Sequence, residues 1–206
     1  MPDDEVLDPQ AAAALMQQTR QHTSDALRIK LPWVYAAWGV AWLVGLGAMW
    51  LSVQSRHLYH GPSTTSAVLL GILIVAAIAV TMVVVIRATR GVQGTSEMQG
   101  RLYGLSWPIG FAALFAIEGS LASHGASDAV MGLIGAAGPL LITAVIYLVA
   151  SAIWLDRSMF ALGAWLAVVT GVAVQTGPVT VLLIEALAGG GGFLVAAAVL
   201  SRRYTP

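Results

Sequence analysis

Residues 65–86 read TSAVLLGILIVAAIAVTMVVVI, a stretch without a charged side chain. An α-helix needs about 20 predominantly apolar residues to cross the ~30 Å hydrocarbon core of a bilayer. This segment has that length, and it lies between Pro62 and Arg87, which mark a turn and a polar boundary. It therefore predicts a transmembrane helix.

Five further stretches have the same character, which predicts an all-α integral membrane protein with six spans. The least separated pair is the fourth and fifth, where only Leu155, Asp156 and Arg157 interrupt the apolar run. One helix through that point would be roughly twice as long as the bilayer requires, so the sequence favours two helices and a tight turn. The predicted spans are residues 31–53, 65–86, 102–122, 129–154, 158–175 and 178–200.

Composition agrees with a membrane protein. Of the 206 residues, 58% are hydrophobic and only 10% are charged, whereas a soluble domain carries about 25% charged residues. The formal net charge is zero, which argues against a nucleic-acid partner. The chain has no cysteine, so disulfides, thiol nucleophiles and cysteine-ligated metals are excluded. The lipid bilayer is the expected partner of most of this surface.

The basic residues predict the orientation, with both termini in the cytoplasm. Only Arg56 falls on the predicted outer side, whereas the other basic residues fall on the inner side, as the positive-inside rule requires. The inner set is Arg20, Arg28, Lys30, Arg87, Arg90, Arg101, Arg157, Arg202 and Arg203. This pattern predicts a multi-pass protein of the cell (plasma) membrane.

Residues 1–30 form a separate N-terminal region. Asp8 and Pro9 fit a helix N-cap and first helical position. Apolar residues then recur at three- and four-residue spacing, which predicts an amphipathic helix. Two interpretations stay open: a helix that lies along the cytoplasmic interface, and a docking helix for a soluble partner.

Two carboxylates fall inside predicted spans. Glu118 lies about one turn from the outer end of span three, and Glu185 about two turns from the same side of span six. A charged side chain in the bilayer costs roughly 2.5–3.5 kcal/mol on insertion scales, so each is a candidate functional residue. Interfacial solvation of Glu118, or a hydrogen bond from a neighbouring helix to Glu185, is the structural alternative.

Four consecutive glycines follow Glu185, at Gly189, Gly190, Gly191 and Gly192. Each costs about 1 kcal/mol relative to alanine in a helix, so the run needs a physical reason. Close helix packing is one, and a broken helix that lines a cavity is the other. Their proximity to Glu185 predicts a candidate binding cavity formed by Glu118, Glu185 and the glycine run.

The sequence contains none of the common catalytic motifs. It has no phosphate loop, no nucleophile elbow, no HExxH and no pair of histidines within the spans. No metal site or cofactor is predicted, and the chain is expected not to be an enzyme.

Two segments carry a family resemblance: WGVAWLVGLG at residues 38–47, and AGGGGFLVAA at residues 188–197 followed by Arg202 and Arg203. They resemble a group of small six-span, transporter-like membrane proteins from high-GC Gram-positive bacteria. The resemblance covers residues 31–203 and implies no catalytic residues. The leading interpretation is a transporter-like or permease-associated protein. Because six spans are few for a standalone carrier, it is expected to work as a homo-oligomer or with a partner transporter subunit. The alternative is an accessory or regulatory protein that docks a soluble partner through residues 1–30.

Overall fold

The computed structural model describes the backbone of residues 9–55, 58–88 and 95–204. Within these ranges it describes the side chains of residues 31–55, 58–87 and 97–202. The amphipathic face predicted within residues 1–30 therefore lies outside the described side chains. All regular structure in the described part is helical.

Six helices are long and apolar enough to cross a membrane, which confirms the prediction of six apolar helices. The first five are α1 (Pro9–Val53), α2 (Thr64–Ala88), α3 (Thr95–Ser123), α4 (Asp128–Trp154) and α5 (Arg157–Ala173). The sixth is composite: α6 (Thr180–Ile184), a π-helical turn (Glu185–Gly190) and α7 (Gly191–Tyr204). A short 3₁₀ turn (Val174–Thr176) follows α5.

The break between α4 and α5 occurs at the three residues predicted from the sequence. Leu155 adopts a left-handed conformation with φ 52° and closes α4. The Asp156 side chain then accepts hydrogen bonds from the backbone N–H groups of Ser158 and Met159 and begins α5. A helix end and a helix start fit into one short turn because these two residues satisfy the terminal backbone groups.

The core of the bundle is built by α1, α4, α5 and the composite sixth span. Tyr35 of α1, Tyr147 of α4 and Phe193 of α7 make mutual ring contacts with centroids 6.0–6.2 Å apart. Leu140 and Leu166 are fully buried in the same core. These side chains hold together the four helices that surround the candidate site.

Helices α2 and α3 lie outside this core. In the most apolar stretch of each, only 6% of the residues are buried, whereas in the other four spans 33–44% are buried. Helix α2 packs on α1, where Trp38 donates a hydrogen bond to the Thr81 hydroxyl at 3.0 Å. Helix α3 packs on α4, and its Trp107 stacks on Trp38. Both helices therefore present most of their apolar side chains to lipid.

The described residues of the 54–63 connection lie at one end of the bundle together with the connections 124–127 and 174–179, and this end is called the loop end below. Tyr59 of the first connection packs against Gly132 of α4 at this end. The backbone N–H of Ser63 donates to the Ser52 hydroxyl at 3.1 Å, which ties the same connection to α1.

Candidate functional site

Glu185 is the charged residue most completely enclosed by the described part of the bundle. Its side chain is 0% exposed, and it begins the π-helical turn between α6 and α7. A π-helical turn inside an α-helix is rare and is frequent at functional sites. The predicted candidate residue therefore coincides with the one irregular turn in the middle of a described span.

The carboxyl group of Glu185 lacks a hydrogen-bond partner among the described residues, for both of its oxygens. The Thr170 hydroxyl of α5 interacts with it but does not reach hydrogen-bond geometry. A polar group buried without a compensating hydrogen bond costs about 2–7 kcal/mol, and an isolated carboxylate costs far more. The arrangement in this structure therefore favours the neutral acid.

A buried donor lies on α1, at the indole of Trp42. Its Nε1 is buried and has no hydrogen-bond partner within the described part of the chain. The adjacent residue, Leu43, faces Gly190 through its backbone nitrogen. The α1 backbone next to Trp42 therefore packs directly on the π-helical turn. Thr170 and Trp42 were not predicted as site residues, since neither carries a charge or a motif.

The π-helical turn is fixed from the side by Trp165 of α5. The Trp165 indole donates a hydrogen bond to the Ala188 carbonyl at 2.8 Å. A Cβ at Gly192 would lie only 2.7 Å from the same indole, so the absence of a side chain there leaves room for the ring. This contact ties the turn that begins at Glu185 to the neighbouring helix.

The glycine run packs against three different helices. A Cβ at Gly189 would meet the Leu140 side chain at 2.6 Å, and one at Gly190 would meet the Leu43 backbone nitrogen at 2.6 Å. At Gly191 the neighbouring space is open. Close packing therefore accounts for three of the four glycines, and the helix is widened rather than broken at this point.

Glu118 lies apart from Glu185. It is half-buried on α3, one turn beyond Leu114, which packs on Gly138 of α4. Its Oε1 atom is buried without a hydrogen-bond partner among the described residues. Helix α3 packs mainly on α4 and makes at most isolated contacts with the π-helical turn. The structure thus assembles Glu185 with the glycines, and it places Glu118 on a neighbouring face.

A cavity of about 210 Å³ lies at the loop end, between α1, α4 and α6. Its wall includes Tyr59, Asp128 and Gly135, and it reaches down to Leu182. Burial raises the pKa of the Tyr59 hydroxyl, and the nearby Asp128 carboxylate raises it further. Tyr59 therefore stays protonated at neutral pH and can donate a hydrogen bond. No pattern in the sequence indicates this cavity, because it depends on which helices meet.

The described residues contain no group of three or more His, Asp or Glu side chains that could hold a metal ion. At the loop end, His60 and Asp128 approach to 3.6 Å, but both are well exposed. The site chemistry available within the described bundle is that of one buried carboxyl group with the Thr170 hydroxyl beside it.

Comparisons with protein-family models, curated proteins and solved structures find no match for this chain. The fold is that of a polytopic membrane protein with six apolar helices.

Proposed function

We propose that this chain is a membrane transport protein, transporter-like or permease-associated, in which Glu185 binds and releases a proton. The observation that carries the proposal is the placement of Glu185: fully buried, at the start of a π-helical turn, with neither carboxyl oxygen hydrogen-bonded in the described part of the chain. Intramembrane carboxyl groups with this degree of enclosure are typical of ion and proton pathways.

A proton suits this site better than a metal cation. Hard cations such as Ca²⁺ take 6–8 oxygen ligands, usually from several carboxylates and carbonyls. Among the described residues, Glu185 has Thr170 and no second carboxylate beside it, and the Ala188 carbonyl already accepts from Trp165. A single carboxyl group in apolar surroundings can switch between a neutral acid and an anion as its access to water changes.

The proposed setting is the plasma membrane, with both termini in the cytoplasm and the loop end outside. The distribution of arginine supports this orientation. Six spans are few for a carrier that acts alone, and α2 and α3 offer broad apolar faces, so the proposal includes a homo-oligomer or a partner transporter subunit.

The orientation predicts opposite reactivity for two exposed leucines. Leu58 lies in the 54–63 connection and is 71% exposed, and Leu155 lies in the α4–α5 turn and is 88% exposed. Because the chain has no cysteine, each introduced thiol is the sole one. In intact cells, Leu58→Cys should react with a membrane-impermeant maleimide, and Leu155→Cys should react only after permeabilisation. The opposite pattern would reverse the topology.

The proposal for Glu185 is tested by carbodiimide labelling, which needs no known substrate. Dicyclohexylcarbodiimide partitions into apolar regions and reacts with protonated carboxyl groups. We expect a covalent adduct on Glu185, found by peptide mass spectrometry, that decreases as the pH is raised because the carboxylate does not react. Glu185→Gln should remove the adduct.

The matched control is Glu118→Gln, which should leave the Glu185 adduct in place. A protein that acquires no adduct at Glu185 at any pH would contradict the proposal. So would an adduct confined to Glu118.

A further inference from the structure

The cavity at the loop end reaches the sixth span shortly before Glu185 in the chain. The wall residue that it shares with that span is Leu182, three positions before Glu185. One helical turn rises about 5.4 Å, so a single turn separates the cavity floor from the residue that bears the carboxyl group. Leu182 is only 2% exposed and stands between the two.

The cavity depends on small residues of α4. A Cβ at Gly132 would overlap the Tyr59 side chain, so this glycine lets Tyr59 fold over the cavity. A Cβ at Gly135 would have no neighbouring atom within 4 Å, so this glycine leaves open space in the wall. Larger residues at these two positions would close the space from above or from the side.

Polar groups mark the mouth of the cavity and not its floor. The Tyr59 hydroxyl is buried and has no hydrogen-bond partner among the described residues. Asp128 lines the same wall, and its carboxylate pairs with the exposed His60. The floor is apolar, formed by Leu182 and Ala136. This order, from polar mouth to apolar floor to buried acid, is the order expected along a closed access path for water.

We propose that this cavity is the extracellular entrance through which water and protons reach Glu185, with Leu182 as the plug that closes it. The proposal rests on the proton-binding role of Glu185 proposed above and adds the route and its closing residue. Hydrated protons enter past Asp128 and the Tyr59 hydroxyl, and they reach the carboxyl group when Leu182 moves aside.

Thiol accessibility tests the route in the full-length chain, whose lack of cysteine makes each introduced thiol unique. The probe is a small, cationic, membrane-impermeant methanethiosulfonate applied to the outside of intact cells. We expect Glu185→Cys to react slowly and Glu185→Cys combined with Leu182→Ala to react about tenfold faster or more, because the plug is shortened. Adding Gly135→Leu to either protein should slow the reaction, since the leucine side chain has room at this wall position and narrows the cavity.

Leu187→Cys is the matched control for depth. Leu187 lies two residues from Glu185 but is 60% exposed on the outer face of the bundle, where lipid surrounds it. It should not react. If Leu182→Ala destabilises the protein, Leu182→Val provides the milder shortening, and elution from size-exclusion chromatography shows whether each variant folds.

The route is wrong if Glu185→Cys stays unreactive when combined with Leu182→Ala, or if adding Gly135→Leu to that double variant does not slow its reaction. In either case, carbodiimide labelling of native Glu185 separates the two proposals. A pH-dependent adduct on Glu185 would support the proton-binding role and contradict only the proposed entrance. If the carbodiimide adduct is absent as well, both the entrance and the proton-binding role are wrong.

Discussion

Gly190→Ala should strongly destabilise the bundle, whereas Gly191→Ala should leave its stability unchanged or slightly higher. The added Cβ at Gly190 would lie 2.6 Å from the backbone nitrogen of Leu43 and 3.0 Å from the carbonyl oxygen of Gly39. Backbone atoms cannot rotate away as a side chain can, so α1 and the π-helical turn would have to separate. Overpacking of this kind costs about 1–3 kcal/mol and occasionally more.

The neighbouring glycine provides the matched control. Nothing lies within 4 Å of a Cβ built at Gly191, so alanine adds no clash there. Alanine also favours a helix by about 1 kcal/mol relative to glycine. Thermal unfolding of the two variants in the same detergent, followed by tryptophan fluorescence, should show a lower Tm for Gly190→Ala alone. Equal Tm values would mean that the α1 contact does not limit stability.

Alanine at the other two glycines should lower the Tm by an intermediate amount. Gly189 faces the end of the Leu140 side chain, and Gly192 faces the Trp165 indole. Leucine can change rotamer at modest cost, whereas the indole is held by its hydrogen bond to the Ala188 carbonyl. The four glycines therefore differ in how well each position tolerates an added side chain, although in the sequence they form one uniform run.

The apolar lengths of the helices could be predicted from the sequence, but not their partners. Residues 65–86 are apolar on every side, so the helix would present apolar side chains to lipid in any rotation about its axis. The sequence therefore could not show that α2 packs on α1 and contributes so little to the core. The α4–α5 break was predictable because Leu155, Asp156 and Arg157 interrupt the run and Asp156 suits an N-cap.

The candidate site was predictable only in part, for a similar reason. An acid beside four glycines is a local signal, and it pointed to the π-helical turn. Glu118 is likewise an acid within an apolar span, but its surroundings depend on α3 packing beside α4, which the sequence does not encode in any short pattern. The surroundings of Thr170, Trp42 and Tyr59 are set by contacts between segments distant in the sequence, so no spacing in the sequence could have identified these residues.

Glu185→Gln should abolish a proton-binding signal while leaving the fold intact. Glutamine has almost the same shape as a neutral glutamic acid, so it fits the same fully buried space, but its amide does not ionise and so cannot bind and release a proton as a carboxyl group does. The measurement uses proteoliposomes adsorbed on a solid-supported membrane, to which a step in pH is applied. Movement of a proton into the bilayer to reach Glu185 displaces charge and should give a transient current in the native protein, which Glu185→Gln should lose entirely.

Glu118→Gln separates the two intramembrane acids in the same assay. Glu118 is only half-buried and lies on α3, which packs mainly on α4 and not on the π-helical turn. Its variant should retain the transient current, and the native Tm should be preserved in both variants. If Glu185→Gln keeps the full current, the buried acid does not exchange protons with water, and its enclosure serves packing alone. If Glu118→Gln instead removes the current, the proton site lies on α3, and the π-helical turn is a structural adaptation to the close approach of α1.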